Sequence, residues 1–139
     1  MANSIVVADA DALIALALEN DPNHKRAQKI AEFLRRKLVT VIFPVTVFPE
    51  AITSLKRAAR QPKKAHLINR QYLAGAFHVE YISEEIMKKA AEIFDQKANS
   101  KQNTLFDAVV AATSEKLNAD GIFSFDNWYP KLGFNLVGE

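Results

Sequence analysis

Residues 4–18 read SIVVADADALIALAL, and the architecture of the chain turns on how this run is interpreted. Ile5–Ala8 is short and uninterruptedly apolar, the pattern of a strand buried on both faces, as the strands of a parallel sheet are. It stops at Asp9 and Asp11, after which Leu13, Ile14, Leu16 and Leu18 predict a short helix. Two carboxylates therefore stand where a buried strand hands over to a helix. In open α/β sheets ligands bind outside the carboxyl ends of the strands, so an acid there is partly buried without being lost in the core.

Beyond this run, Asp21-Pro22 predicts an N-cap followed by the first residue of a helix, with Ala27, Ile30, Ala31, Leu34 and Leu38 as its apolar stripe. Val39–Phe43 predicts a second buried strand, closed by Pro44. Thr46 is placed to cap the next helix, which tolerates Pro49 in its first turn and turns Phe48, Ala51, Ile52, Leu55 and Ala59 inward. Pro62 separates it from a further helix. Phe77–Ile82 predicts a strand, Ser83 with Glu84 and Glu85 a helix start, and Ile86, Ala90, Ile93 and Phe94 that helix's buried face.

Thr104 and Asp107 have the T-x-x-D spacing of a capping box. The helix it opens carries the stripe Phe106, Val109, Val110, Thr113 and Leu117, and Ala108, Ala111 and Ala112 admit a close neighbour. After a turn at Ala119–Gly121, Ile122–Phe125 predicts a strand, and Asp126 follows it as Asp9 follows the first. Trp128–Leu132 predicts one helical turn and Phe134–Val137 a last edge strand. Helices alternating with apolar strands predict a single three-layer α/β domain over residues 1–139, its central sheet mainly parallel and covered by helices on both faces.

Composition narrows the function by exclusion. No apolar run approaches the ~18–20 residues of a membrane span, and the start lacks a secretory signal, so a cytoplasmic protein without membrane association is expected. The absence of cysteine excludes a disulfide framework, a zinc finger and a thiol nucleophile. The chain has no G-x-S-x-G, Walker loop or dinucleotide fingerprint, which sets aside acyl transfer and nucleoside-triphosphate chemistry. His24, His66 and His78 lack metal-ligand spacing. A net charge of +2 decides nothing, but Ala51–Val79 contains no acid and includes Lys56, Arg57, Arg60, Lys63, Lys64 and Arg70. That stretch is either a solvated helix surface or a track for a phosphate backbone.

The acids carry the chemistry. Asp9, Asp11, Glu50, Asp107 and Asp126 each have a structural use taken singly, as helix caps or dipole partners. Gathered at one cleft they could not all stay ionised, because like charges a few ångströms apart raise one another's pKa. A divalent cation resolves the conflict. Hard oxygen donors without histidine or cysteine suit Mg²⁺ or Mn²⁺, ions used to hold phosphate oxygens and activate water in phosphodiester hydrolysis.

Four blocks in order, VADADALIAL, PVTVFPEAI, FDAVVAAT and FSFDNW, resemble those of the PIN domain, a metal-dependent ribonuclease fold that includes the VapC-type toxins of toxin–antitoxin pairs. The resemblance covers nearly the whole chain. It implies that Asp9, Glu50, Asp107 and Asp126 coordinate one or two Mg²⁺ or Mn²⁺ ions, with Asp11 and Ser124 in support. It further implies hydrolysis of RNA to a 5′-phosphate and a 3′-hydroxyl, an antitoxin protein as partner, a homodimer, and basic surfaces beside the acidic cleft. Ala10 stands where the family often has threonine, and Trp128 or Tyr129 replaces its commonest phenylalanine.

Two rivals follow from the same residues. Asp9-x-Asp11 resembles the first motif of haloacid-dehalogenase-like phosphatases, with Asp9 as nucleophile, although Ala12 and Leu13 replace the usual glycine and threonine. Alternatively the fold is a catalytically silent module that binds RNA or protein.

Overall fold

The computed structural model describes residues 4–138. The first strand, β1 (Ile5–Ala8), leads straight into α1 (Ala10–Ala17), with Asp9 between them as the N-cap. Then come α2 (His24–Arg36), β2 (Thr40–Pro44), α3 (Val47–Arg57), α4 (Pro62–Leu73) and β3 (His78–Glu80). The chain continues through α5 (Glu84–Lys97), α6 (Leu105–Lys116), β4 (Gly121–Phe123) and the single turn α7 (Trp128–Lys131).

All strand pairs are parallel, in the order β3-β2-β1-β4. The chain thus winds from β1 outward to β3, then returns to add β4 on β1's other side. Such a reversal makes the carboxyl ends of β1 and β4 a topological switch point, where helices diverge and a crevice opens. The opening run is central, as its apolar pattern requires. Val6 and Ala8 face one layer with Ala12, Ala15, Ala27, Ile30 and Leu34, while Val7 faces the other with Leu13, Leu55, Ile86, Val110 and Ile122. Alternate side chains of one strand thereby enter both cores. The three-layer architecture is as expected.

Several local expectations change. Helix α2 begins two residues after Pro22; Asp21 instead accepts the Asn23 N–H at 2.8 Å, so Asp21-Pro22 forms a turn before the helix. Leu38 leaves the stripe because α2 has ended, and it sits in the left-handed region (φ 57°), 87% exposed. β2 includes Pro44 and is mostly half-buried rather than fully buried. Thr46 precedes α3 but makes no side-chain cap.

β3 is three residues long, and of Phe134–Val137 only Leu136 bridges to Ile122. Phe94 and Phe106, expected inside, are 41% and 45% exposed. In α6 every residue from Asp107 to Ser114 is buried, because α5 and the sheet enclose it; a one-sided stripe was the wrong template for a surrounded helix. Its alanines permit that enclosure, as anticipated.

Candidate active site

Residue placement at the switch point follows from strand register. Ala8 pairs with Phe123, and the Asp9 N–H donates to the Phe123 carbonyl at 3.0 Å. The counterpart of Asp9 at the end of β4 is therefore Ser124. Asp126 does not follow its strand directly, as had been expected, because β4 ends at Phe123. The buried Ser124 instead organises the junction: its hydroxyl donates to Asp11 Oδ2 at 2.8 Å and accepts the Asp126 N–H at 3.1 Å. Asp11 Oδ2 also accepts the Phe125 N–H at 2.8 Å, so the first turn of α1 holds the segment after β4. Asp11 Oδ1 is buried and has no hydrogen-bond partner among the described residues.

Asp9 is 3% exposed. One carboxylate oxygen accepts the Ala10 N–H at 2.6 Å and the other accepts the hydroxyl of Tyr129 at 2.6 Å. Tyr129 is wholly buried in α7, which Asp126 starts by accepting the Trp128 N–H at 2.9 Å. Asp107 closes the capping box expected of it: its N–H donates to Thr104 Oγ1 at 3.2 Å, and its Oδ2 accepts the Thr104 N–H at 3.3 Å. Glu50 lies in the first turn of α3, half-buried.

The electrostatics bind these acids into one group. Burial pushes Asp9 well above the usual carboxylate range, and Asp11, Asp107 and Glu50 push it further, against the Tyr129 hydrogen bond. Asp11 and Asp107 are also raised, in each case first by burial, and both feel Asp126. Glu50 is raised to about 7 by burial and by the charges of Asp107 and Asp11. Every principal charged neighbour of these four is another carboxylate. Burial and the adjacent Asp9 also push Tyr129 upward, so it remains a neutral hydroxyl able to donate.

All five acids expected from the sequence, and Ser124, are therefore brought to one edge of the sheet. Among the described residues, however, no three acids or histidines are arranged to hold an ion as they stand. The donor chemistry nevertheless fits a hard cation, since the set is all oxygen and Asp11 Oδ1 is a buried acceptor without a donor among the described residues. Closing on an ion requires side-chain rotation, for which the Glu50 carboxylate has no hydrogen bond to break among the described residues.

The basic segment lies elsewhere. Lys56 and Arg57 occupy the last turn of α3, at the opposite end from Glu50, and with Arg60, Lys63 and Arg70 they are exposed. Lys64 is partly buried, its ammonium donating to the Ala17 carbonyl at 2.8 Å at the end of α1. Eight residues of helix separate that carbonyl from the acids, roughly 12 Å at 1.5 Å per residue.

Tyr129 is the site residue that the sequence reading undervalued, as a possible packing substitute. Its spacing three residues after Asp126 was visible, but contact with Asp9, 120 positions away in sequence, depends on the tertiary fold. No curated protein matches the chain in sequence. The family model described as the PIN domain matches residues 6–135. Among solved structures, Mycobacterium tuberculosis VapC20, described as a toxin that cleaves the sarcin–ricin loop, superposes with a TM-score of 0.81 at 22% identity, covering 96% of this chain and 98% of that one. FitAcB from Neisseria gonorrhoeae superposes with a TM-score of 0.66 at 15% identity, covering 96% of each chain. A toxin–antitoxin complex from Klebsiella pneumoniae gives 0.56 at 13% identity, covering 87% of this chain and 86% of that one.

Proposed function

Because the chain belongs to the PIN domain family, we propose that it is a Mg²⁺- or Mn²⁺-dependent endoribonuclease, and the toxin of a toxin–antitoxin pair. Family membership removes the ground for the phosphatase alternative, which rested on Asp9-x-Asp11 alone. The observation that carries the nuclease reading is the set of buried and half-buried carboxylates raised by burial and by one another, with no lysine or arginine among their principal electrostatic neighbours in the described residues. Asp9, Glu50, Asp107 and Asp126 would hold the cation. When bound, it supplies Lewis acidity toward a phosphate oxygen and a source of nucleophilic water at neutral pH.

The remaining residues set the stage for that chemistry. Tyr129 and the Ala10 N–H fix both oxygens of Asp9. Ser124 and Asp11 hold the turn that carries Asp126. Thr104 orients Asp107. Glu50, raised to about 7, passes between neutral and ionised forms near neutral pH and is the acid freest to adjust.

The RNA backbone would run over exposed Lys56, Arg57, Arg60, Lys63 and Arg70. Antitoxin pairing, a homodimer and cytoplasmic residence belong to the same proposal. Structural similarity to VapC20 and FitAcB supports the toxin assignment through the fold, and no helix among the described residues is long and apolar enough to cross a membrane.

The test is cleavage of single-stranded and structured RNA with Mn²⁺ or Mg²⁺, comparing the unaltered protein with Asp9→Asn. Metal-dependent cleavage that falls by at least about a hundredfold in the variant, as loss of a charge-stabilising group implies, supports the proposal. Equal cleavage by both proteins would show that any activity came from elsewhere. That no three acids among the described residues are arranged to hold an ion as they stand favours a second reading, a silent module that binds RNA. On that reading Mn²⁺ adds no cleavage, and Asp9→Asn leaves RNA affinity unchanged.

A further inference from the structure

A cleft of about 670 Å³ opens beside Asp126, between the loop joining α5 to α6 and the chain around α7. That volume is within the roughly 300–1,000 Å³ of small-ligand sites. Its wall carries four amide side chains, Asn99, Gln102 and Asn103 from the loop and Asn127 from the residue before α7. Lys97 and Lys131 also line it, and neither makes an ion pair among the described residues.

The loop is held in shape before any ligand arrives. The Ser100 N–H donates to Asn103 Oδ1 at 3.2 Å, the Gln102 N–H to Ser100 Oγ at 3.2 Å, and the Asn103 N–H to the Ser100 carbonyl at 3.0 Å. The buried Trp128 indole N–H, donating to the Lys97 carbonyl at 3.3 Å, ties the end of α5 to α7. Asn103 thus has its carbonyl oxygen engaged and its NH₂ available to donate. Asn99 and Gln102 are exposed and their side chains make no hydrogen bond among the described residues.

We propose that this cleft is a base-reading subsite for one unpaired nucleotide next to the bond cut at the acids, with the loop amides addressing the base and Lys97 and Lys131 its flanking phosphates. Amide side chains both donate and accept, which suits the exposed edges of an unstacked base, and cationic groups suit the backbone. Asp126 is common to the cleft and the acid group, so a nucleotide seated here lies directly beside the proposed reaction centre. The inference rests on the ribonuclease reading and gives that reading a source of selectivity.

The experiment uses the full chain in EDTA and fluorescein-labelled single-stranded tetranucleotides of A, C, G or U, followed by anisotropy. The unaltered protein is expected to prefer one base by about fivefold, roughly what one hydrogen bond supplies. Asn99→Ala with Gln102→Ala levels that preference, whereas Lys97→Ala with Lys131→Ala weakens all four ligands alike and flattens the salt dependence. Absence of binding, absence of a preference, or a preference surviving in the folded amide variant overturns the subsite. Mn²⁺-dependent cleavage of long RNA with those adverse results leaves the nuclease standing without the subsite. Base-selective binding lost in the amide variant, without cleavage of any RNA, sinks the nuclease reading alone.

Discussion

At Tyr129 one hydroxyl favours the ionised form of Asp9, which burial and neighbouring acids disfavour. Its proton on Asp9 Oδ2 opposes the burial and like charges that raise the Asp9 pKa. Tyr129→Phe removes that bond and changes little else in shape. An acceptor left unsatisfied in a buried place costs about 1–3 kcal/mol, so the metal-free variant is expected to unfold at lower urea concentration. Asp9 also releases its proton less readily without its donor, and a cation competes with that proton. The midpoint of Mn²⁺ binding, followed by titration calorimetry across pH, should therefore move to higher pH. A midpoint that stays put would mean that Asp9 takes no part in binding. Of this arrangement the sequence displayed the acids but not their bonds: Ser124, which accepts the nearby Asp126 N–H, reaches Asp11 across 113 positions of sequence, a contact that only the β1–β4 register creates.

Helix ends were legible where a side chain does the capping and obscure where tertiary contact decides. The Thr104–Asp107 and Ser83 caps form as their spacing indicates, because those bonds are local. Leu38, Phe94 and Phe106 were misplaced because periodicity extends past a helix end and assumes one buried face. Thr104→Ala is expected to cost about 1 kcal/mol by loss of the N-cap. It also releases the Asp107 N–H that Thr104 Oγ1 anchors, loosening the first turn that carries the Asp107 carboxylate, so RNA cleavage should fall more than stability does; denaturant unfolding and turnover on the same variant separate the two.

The basic segment needs similar separation. Lys64 holds the last turn of α1 by bonding the Ala17 carbonyl, a favourable place for a cation at a helix C-terminus. Lys64→Ala should lower thermal stability, whereas Lys63→Ala, at an exposed position, should leave stability alone and reduce the salt slope of RNA binding. If the two variants behave alike in both measurements, the segment acts as one surface and the Ala17 bond contributes nothing.

For the molecule as a whole, the parallel sheet and its switch point impose an electrostatic cost by drawing acids from four separate stretches of sequence to one edge. Glu50 is raised from an ordinary 4.5 to about 7, and Asp9, Asp11 and Asp107 are shifted the same way. A carboxyl with a higher pKa folded than unfolded binds more protons in the folded state, so its contribution to stability is complete below the unfolded pKa and is lost as pH rises through the folded one. For Glu50 that window runs from about 4.5 to about 7. The metal-free protein should accordingly lose stability between pH 5 and pH 7, and Glu50→Gln should make the decline shallower. A divalent cation binding the ionised acids reverses the trend, since it stabilises the folded state by mass action only where protons no longer compete. Thermal unfolding with and without Mn²⁺ should show a large upward shift at pH 8 and little at pH 5. A Mn²⁺ effect of equal size at both values would locate the ion away from these carboxylates and remove the basis for metal-dependent cleavage at the switch point.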